Sequence, residues 1–418
     1  MTSEPKGTSL SEPSTGEDQR SSPFRFVIAG AVVWISFSLG MSMFSVSPVT
    51  PLIMDDYNIN RGTASLLVGL IPLTHLLLAI PGSMLVSRIG SRNLIFLGAL
   101  LGAAPVLSFL AVNFPLLVIT RVLYGVGLAL VFPSVGPLAM HWFRPKELPV
   151  FNGLFVASLT LGMAISSFAM APISEAVGWK AALSIFGGVP LIGAFIWMAL
   201  GQRTQASVQA VGHLTLKSTL RIVRSRNTLL IAAADAGPYA LLTAAVAWLP
   251  TYYHEVHGMS LSEAGSLMGL LSLAGAISLV AASLLVLRIR RRRPMLIVPG
   301  VIVGFAGFGS FLLADTPLVV VAVVVLGAAA WFYVPTLLTI PMELPGSDAN
   351  SVAVTFGTLM SMGSIFTMIS PLTVGVTTDL LGSYIPGLAL FSVLAWSLMV
   401  AGALLPETGK PEPKSPLR

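Results

Sequence analysis

The feature that most constrains this chain is a series of twelve apolar runs, each close to the length that crosses a lipid bilayer. A membrane-spanning helix needs about 20 mostly apolar residues. Backbone amides and carbonyls in lipid must be satisfied within their own segment, so each run is predicted to be a helix. We number the runs span 1 to span 12; they cover residues 26–48, 62–87, 93–112, 115–140, 148–173, 179–200, 227–252, 261–287, 295–314, 317–341, 350–376 and 383–405.

The composition agrees with a membrane protein. Only 10% of the 418 residues are charged and 55% are hydrophobic, whereas a soluble domain carries about 25% charged residues. Cysteine is absent, which excludes disulfides and cysteine-ligated metals. The other candidate ligand residues show no metal-ligand spacing, and there is no phosphate-binding loop of the G-x-x-x-x-G-K-[ST] type. We therefore predict no metal, no cofactor, no enzymatic activity and no use of ATP.

A stretch that includes span 2 returns 200 residues later. Residues 61–93 align without gaps on residues 261–293, and the match ends on arginines in register. Such a match indicates a duplicated six-span half. The matched residues include Ala64 with Ala264, Leu67 with Leu267, Arg88 with Arg288 and Arg92 with Arg292.

The duplication predicts an all-α membrane protein of two six-helix bundles related by a pseudo-two-fold repeat. The N-terminal segment lacks the pattern of a signal peptide and is rich in Ser, Pro and acidic residues, which is typical of disorder. The predicted parts are a disordered tail at 1–22, an N-terminal bundle at 23–200, a linker at 201–226, a C-terminal bundle at 227–405 and a tail at 406–418.

Lys and Arg are distributed very unequally between the two sides. With twelve spans, 20 of the 23 Lys and Arg residues fall on the side that holds both termini. The positive-inside rule then places both termini in the cytoplasm and the chain in the inner or plasma membrane. The net charge of +6 is explained by this membrane-facing bias, so we predict lipid and not nucleic acid as its partner.

Short motifs carry a resemblance to a known family. The turn after span 2 is similar to the pattern G-x-x-x-D-R-x-G-R-R/K, with Arg88, Gly90 and Arg92 in place and Ser87 at the aspartate position. Arg121 and Gly125 belong to a run in span 4 that matches R-x-x-x-G-x-G. Together with two six-span halves, these motifs resemble the major facilitator superfamily, whose members are transporters.

Further motifs are similar to the cyanate-permease-like and anion:cation symporter branches of that superfamily. They are Ser45–Pro51 in span 1, Trp142–Glu147 after span 4 and Ala247–Tyr253 in span 7. The arginine that the cyanate-permease-like branch carries in span 1 is absent from Gly40–Phe44. The resemblance implies a small polar solute, bound near the midplane between the halves.

Ionisable residues inside spans are costly and are therefore functional candidates. Arg121 could bind an anion bidentately or could hydrogen-bond neighbouring helices as a structural residue. Asp235, followed by Gly237 and Pro238, could bind and release a proton, or could be wetted by a vestibule. His75 could relay protons, and the alternative is a neutral interior histidine.

Aromatic residues accompany these candidates. Tyr239 lies one helical turn after Asp235, so the two share a face. The superfamily resemblance implies that spans 1, 4, 7 and 10 line the central cavity, and this adds further candidates for solute contact, namely Trp34, Tyr124 and Trp331. Trp248, Tyr252 and Tyr253 are predicted to form an aromatic belt at the membrane interface.

Two further sets of residues suggest movement. Pro133 and Pro137 of span 4 have counterparts in Pro335 and Pro341 of span 10, and they predict kinks that are either hinges or fixed bends. The basic turn residues could anchor at lipid headgroups or could latch the two halves when the opposite side is open. The candidate gating residues are Arg88, Gly90, Arg92, Gly125, Arg288 and Arg292.

The sequence therefore predicts a monomeric secondary transporter that works by alternating access and is driven by proton symport. Its solute is predicted to be a small, polar, anionic organic molecule, because Arg121 is the one buried cation. One alternative is a proton-coupled antiporter that expels lipophilic compounds, although span 5 lacks the pattern G-x-x-x-G-P-x-x-G-G. A second alternative is a sensor that binds a ligand without transporting it.

Overall fold

The computed structural model describes residues 23–144, 147–200, 216–347 and 349–408, and every span predicted from the sequence is helical in it. The predicted tail at 1–22, most of the linker and the last ten residues lie outside these ranges. Twelve helices in the described part are long and apolar enough to cross a membrane, which confirms the all-α membrane fold.

The N-terminal half contains spans 1 to 6. Span 1 is interrupted near Ser45, span 2 at Ser65, and span 3 ends in a 3-10 helix. The segments are Phe24–Met43, Ser47–Val49 and Thr50–Tyr57 for span 1; Arg61–Ala64 and Leu66–Ile89 for span 2; Ser91–Gly102 and Ala104–Leu110 for span 3; Phe114–Trp142 for span 4; Leu148–Val177 for span 5; and Trp179–Leu200 for span 6.

The C-terminal half contains spans 7 to 12 and is preceded by a short helix, Leu216–Val223, within the predicted linker. Span 10 is broken at Tyr333 and span 12 at Ala395. The segments are Arg226–His257 for span 7; Leu261–Arg288 for span 8; Arg292–Leu312 for span 9; Leu318–Phe332 and Val334–Glu343 for span 10; Ala349–Leu381 for span 11; and Ile385–Leu394 and Ser397–Leu404 for span 12.

Twelve spans give the bundle two faces. The face that carries the loops after odd-numbered spans is called the Arg61 face, and the face that carries the loops after even-numbered spans is called the terminal face. The candidate residues in the middle of spans 4, 7 and 10 lie between them.

Small residues let helices of the same half approach closely. A Cβ atom on Gly162 of span 5 would lie 2.1 Å from the carbonyl oxygen of Phe37 in span 1, and one on Gly40 would lie 2.0 Å from the carbonyl oxygen of Leu159. Because these contacts are with backbone atoms, they leave no room for a side chain. Packing through small residues is how helices associate in lipid, where no hydrophobic effect drives them together.

The prolines behave differently in the two halves. Pro133 and Pro137 both lie inside the continuous helix Phe114–Trp142. In span 10 the first helical segment ends at Phe332, and Pro335 stands at the start of the second. A proline at the start of a helix loses no hydrogen bond, which suits the break at Tyr333. The matching prolines of spans 4 and 10 are therefore associated with a helix break only in span 10.

The predicted aromatic belt at the end of span 7 is wrong. Trp248, Tyr252 and Tyr253 are 1%, 4% and 0% exposed and lie inside the C-terminal half. The Tyr252 hydroxyl donates to the carbonyl oxygen of Phe311 at 3.1 Å, and that of Tyr253 donates to the carbonyl oxygen of Ser310. These carbonyls belong to the last turn of span 9, where the helix itself supplies no donor. Hydrogen bonding to a helix end therefore draws the tyrosines inward.

We expect Gly162→Val to destabilise the protein by about 1–3 kcal/mol, because overpacking against the backbone of span 1 must push the helices apart. The measurement is the thermal unfolding midpoint in detergent. Gly153→Val is the matched control, since Gly153 lies on the same span and a Cβ atom there would have nothing within 4 Å. Equal midpoints for the two variants would contradict the close packing of spans 1 and 5.

Candidate functional site

Arg121 lies at the interruption of span 1. Its guanidinium donates from Nη1 to the carbonyl oxygen of Ser42 at 2.8 Å and from Nη2 to that of Met43 at 2.6 Å. Its Nε donates to the carbonyl oxygen of Leu67 in span 2 at 3.2 Å. The first helical segment of span 1 ends at Met43, so two of the three acceptors are carbonyls at a helix end, and the one of Ser42 also accepts from the Ser45 hydroxyl at 3.1 Å.

The placement of Arg121 follows from two requirements. Carbonyls freed inside a membrane need donors, and a cation at a helix C-terminus also interacts favourably with the helix dipole. The side chain is 1% exposed, and its guanidinium carbon lies 5.1 Å from the centre of the Tyr124 ring. In this conformation Arg121 is therefore bonded to the backbone, as the structural interpretation of the sequence describes.

Tyr124 extends the same arrangement by one turn of span 4. Its hydroxyl donates to the carbonyl oxygen of Leu39 at 2.7 Å. The side chain is completely buried, and its partners Arg121 and Leu39 both belong to the N-terminal half.

Asp235 is the second intramembrane charge. Its Oδ1 accepts a hydrogen bond of 2.9 Å from the Tyr333 hydroxyl, at the break in span 10. A Cβ atom on Gly363 of span 11 would lie 3.3 Å from Oδ2 of Asp235. The carboxylate is therefore held where spans 7, 10 and 11 meet, and no ion pair among the described residues includes it.

Tyr239, one helical turn after Asp235 on span 7, meets Trp331 of span 10. Their rings meet edge to face, with centroids 6.4 Å apart. The indole of Trp331 lies against Gly275 of span 8, where a Cβ atom would be 2.3 Å from the indole Cδ1. The structure thus brings together three of the residues predicted from the sequence, Asp235, Tyr239 and Trp331.

Tyr333 is not among the residues predicted from the sequence. It holds Asp235 because span 10 breaks at this residue, which leaves its side chain beside span 7. The signal that could have identified it is Pro335, two residues after Tyr333, since helices often end at or before the residue that precedes a proline.

His75 and Trp34 are placed apart from this cluster. The His75 ring is 6.0 Å from that of Phe132 in span 4, and its Nε2 is buried without a hydrogen-bond partner in the described part of the chain. Trp34 is 38% exposed and packs against Gly193 of span 6. Among the described residues, neither His75 nor Trp34 contacts Asp235, so their roles in proton relay and solute contact stay predictions.

The candidate gating residues lie mainly on the terminal face. Gly90 has φ +85° and ends span 2, a conformation that favours glycine. The Arg92 carbonyl oxygen accepts from Trp197, and Gly125 packs against Thr74 of span 2. Arg288 is exposed at the end of span 8, whereas the side chain of Arg88 lies outside the described residues.

Arg292 forms an ion pair and several hydrogen bonds at the terminal face. It binds Glu343 at the end of span 10, with Nη2 2.6 Å from Oε1, and it donates to the carbonyls of Val286 and Ile289. All of these partners belong to the C-terminal half. In this conformation Arg292 thus stabilises its own half, and the predicted latch to the other half stays a prediction for another conformation.

The cluster around Asp235 combines a titratable carboxylate, a phenol that hydrogen-bonds it and two further aromatic rings within the spans. A carboxylate without a cation partner is costly to keep ionised in such surroundings. Such a site is suited to exchanging a proton and to contacting a small solute.

Comparison with known proteins gives a family match. A family model described as Major Facilitator Superfamily matches residues 32–371. The solved structure of a bacterial homolog of the human lysosomal transporter Spinster, in an inward-facing and unoccupied conformation, has a TM-score of 0.70 at 17% identity. That similarity covers 92% of this chain and 96% of the homolog, and it concerns the fold.

Two curated relatives are similar over nearly the whole chain. The probable sulfoacetate transporter SauU of Cupriavidus necator is 24% identical, over 91% of each chain. The cyanate transport protein CynX of Escherichia coli is 26% identical, over 88% of this chain and 94% of its own length. These matches confirm the resemblance drawn from the sequence motifs.

We expect Arg121→Ala to lower the free energy of unfolding by about 3 kcal/mol or more, because the buried carbonyl of Met43 loses its donor and those of Ser42 and Leu67 each lose one of theirs. Arg121→Lys keeps the charge but supplies fewer fixed donors, so its effect should be intermediate. Thermal unfolding in detergent, without any solute, measures this. The exposed Arg221→Ala is the control for loss of a positive charge. A midpoint for Arg121→Ala equal to that of the control would contradict the structural role.

Proposed function

The chain belongs to the major facilitator superfamily, and on that basis we propose that it transports a small organic anion together with a proton by alternating access. Both termini would lie in the cytoplasm, as the distribution of Lys and Arg indicates. The observation that carries the coupling is Asp235, a carboxylate inside span 7 that is bonded to a tyrosine hydroxyl and to no cation among the described residues.

Two relatives support the solute class. Their names describe a probable sulfoacetate transporter and a cyanate transport protein, and both of these solutes are small anions. The chain aligns with each over about nine-tenths of its length, so the similarity includes the region around Asp235. We therefore propose that the solute of this chain is also a small anion, and we do not propose sulfoacetate or cyanate in particular.

The coupling follows from the charge of the site. An ionised Asp235 would repel an anion that binds nearby, and it would itself be costly within the spans. Protonation of the carboxylate removes both penalties, so binding of the anion and of the proton favour each other. By linkage, the proton then promotes anion binding as strongly as the anion promotes protonation.

Arg121 contributes at a distance in this proposal. Its donors are committed to backbone carbonyls, so its positive charge acts through its field on the cavity and not through a bidentate bond. Tyr239 and Trp331 are the residues that we propose for solute contact, since Tyr239 lies one helical turn after Asp235 and its ring meets that of Trp331.

We expect the apparent affinity for the anion to rise as pH falls, by up to about tenfold per pH unit, if one proton is bound with each anion. The measurement is a thermal-shift titration at pH 5.5 and at pH 7.5 with sulfoacetate, cyanate and simple carboxylates, since bound solute raises the unfolding midpoint. Asp235→Asn should retain binding but lose the dependence on pH.

Three results would contradict this proposal. They are an unchanged pH dependence in Asp235→Asn, a pH dependence of opposite sign, and midpoint shifts only with lipophilic cations, which would favour an efflux antiporter. Counterflow of a labelled anion in proteoliposomes separates a transporter from a sensor, because a sensor would bind the anion without exchanging it.

A further inference from the structure

A polar cluster on the Arg61 face joins the two halves outside the site around Asp235. Nη2 of Arg61 lies 2.6 Å from Oε2 of Glu255, and its Nη1 lies 3.7 Å from Oδ1 of Asp379. Its Nε donates to the Tyr384 hydroxyl at 2.7 Å. Arg61 begins span 2, whereas the three partners come from spans 7 and 11 and from the residue before span 12. Every side-chain bond of this arginine thus crosses between the halves.

Asp379 also caps the start of span 2 from the other half. Its carboxylate oxygens accept from the backbone amides of Arg61, at 3.2 Å, and of Gly62, at 2.8 Å. The amide of Thr63 is capped by the side chain of Asn60, within the same half. The first amides of a helix have no partner inside the helix and favour a negative charge. Separation of the halves would leave two of these amides without their carboxylate.

Tyr384 completes the cluster. Its hydroxyl donates to Oε2 of Glu255 at 2.7 Å while it accepts from Arg61. A phenol hydroxyl keeps its proton at neutral pH, so it can serve as donor and acceptor at the same time. The ring packs against Trp248, with centroids 5.8 Å apart, which holds the hydroxyl in place.

Directly beside the ion pairs, spans 2 and 11 touch through their backbones. A Cβ atom on Gly375 would lie 2.4 Å from Oγ of Ser65 and 2.8 Å from the carbonyl oxygen of Arg61. Oγ of Ser65 also lies 3.0 Å from the carbonyl oxygen of Pro371, within hydrogen-bonding distance. This contact requires glycine at position 375 when the Arg61 face is closed.

A second ion pair on the same face provides a comparison. Nζ of Lys180 lies 2.9 Å from Oδ2 of Asp56, and also 5.1 Å from the centre of the Tyr57 ring. Its side chain is 35% exposed, against 32% for Arg61. Both partners of this pair belong to the N-terminal half, so a movement of one half against the other leaves the pair intact.

We propose that the cluster around Arg61, together with the Gly375 contact, is a latch that holds the Arg61 face closed and sets the ratio of closed to open conformations. Arg61 is a positioning residue in this proposal, because it acts on the conformational equilibrium and not on the solute. The latch operates whichever solute is carried, so it extends beyond the proposed function.

The strength of the latch comes from its combination of contacts. Arg61, Glu255 and Asp379 are 32%, 26% and 21% exposed, and partly exposed ion pairs contribute little singly. Here the two ion pairs, the bond from Arg61 to Tyr384 and the helix cap all cross between the halves, so they form together when the Arg61 face is closed and break together when it opens. Contacts that differ between two states are the ones that shift an equilibrium between them.

The latch can be tested with spin labels attached to introduced cysteines, because the sequence has no native cysteine that would also be labelled. Thr63 of the N-terminal half and Leu380 of the C-terminal half line the same small cavity on the Arg61 face. Thr63→Cys and Leu380→Cys therefore place one spin label on each half of the protein. The distance distribution between the labels is measured in lipid nanodiscs without solute. We expect Arg61→Ala to raise the ratio of long to short distances about fivefold or more. Lys180→Ala should leave the distribution unchanged.

A second variant tests the backbone contact separately. Gly375→Val keeps every charged group but inserts a side chain between spans 2 and 11, so it should also shift the labels toward long distances. Gly357→Val is its control, because Gly357 lies on the same span with nothing within 4 Å of its Cβ position. The control should give the parent distribution.

Two kinds of result would overturn the latch. Equal distributions for Arg61→Ala and Lys180→Ala, whether both match the parent or both shift, would overturn the latch. Arg61→Lys and Asp379→Asn extend the test should Arg61→Ala fail to fold, since both retain most of the packing. Each of these should give a shift smaller than that of Gly375→Val, and a distribution identical to the parent for both would also overturn the proposal.

Discussion

The arrangement of this protein depends on one constraint: a backbone carbonyl that leaves a helix inside the membrane must find a donor. Span 1 is interrupted near its middle, and the Arg121 guanidinium supplies donors to Ser42 and Met43 at that point. The cost of leaving such groups unpaired in lipid is several kcal/mol for each group. The interruption of span 1 is therefore tolerated because the Arg121 guanidinium, together with the Ser45 hydroxyl, supplies donors to the freed carbonyls.

The same constraint explains several aromatic residues. The hydroxyls of Tyr124, Tyr252 and Tyr253 all donate to backbone carbonyls of a neighbouring span, and so does the indole of Trp248. The hydroxyls of Tyr252 and Tyr253 bind the end of span 9, and the indole of Trp248 binds the carbonyl oxygen of Pro371 inside span 11, while the rings fill space between helices. Tyr333 is an exception, because its hydroxyl donates to the Asp235 carboxylate and not to a backbone carbonyl.

The proposed site and the proposed latch use charge in opposite ways. Asp235 has no cation partner among the described residues, so its charge is free to change with protonation and solute binding. Glu255 and Asp379 share Arg61, so their charges are satisfied only while the Arg61 face is closed. The first arrangement suits coupling to a proton, and the second suits control of which face is open. The solved inward-facing homolog has the same fold.

The sequence by itself determined the membrane architecture. Twelve apolar runs and the repeat of residues 61–93 at 261–293 are local or periodic signals, and both depend on composition more than on packing. The in-span position of Asp235 and the shared face of Asp235 and Tyr239 also follow from helix geometry alone. Each of these predictions could be made without knowledge of which helices are neighbours.

Only the tertiary structure decided which side chains meet. Arg121 could bind a solute or the backbone, and the break in span 1 beside it made the backbone its partner. The aromatic residues at the end of span 7 were wrongly predicted to face the membrane interface, because the free carbonyls of span 9 lie beside them only in the folded bundle. Arg61 binds partners about 190 to 320 residues away, and contacts between distant segments leave no periodic trace in a single sequence.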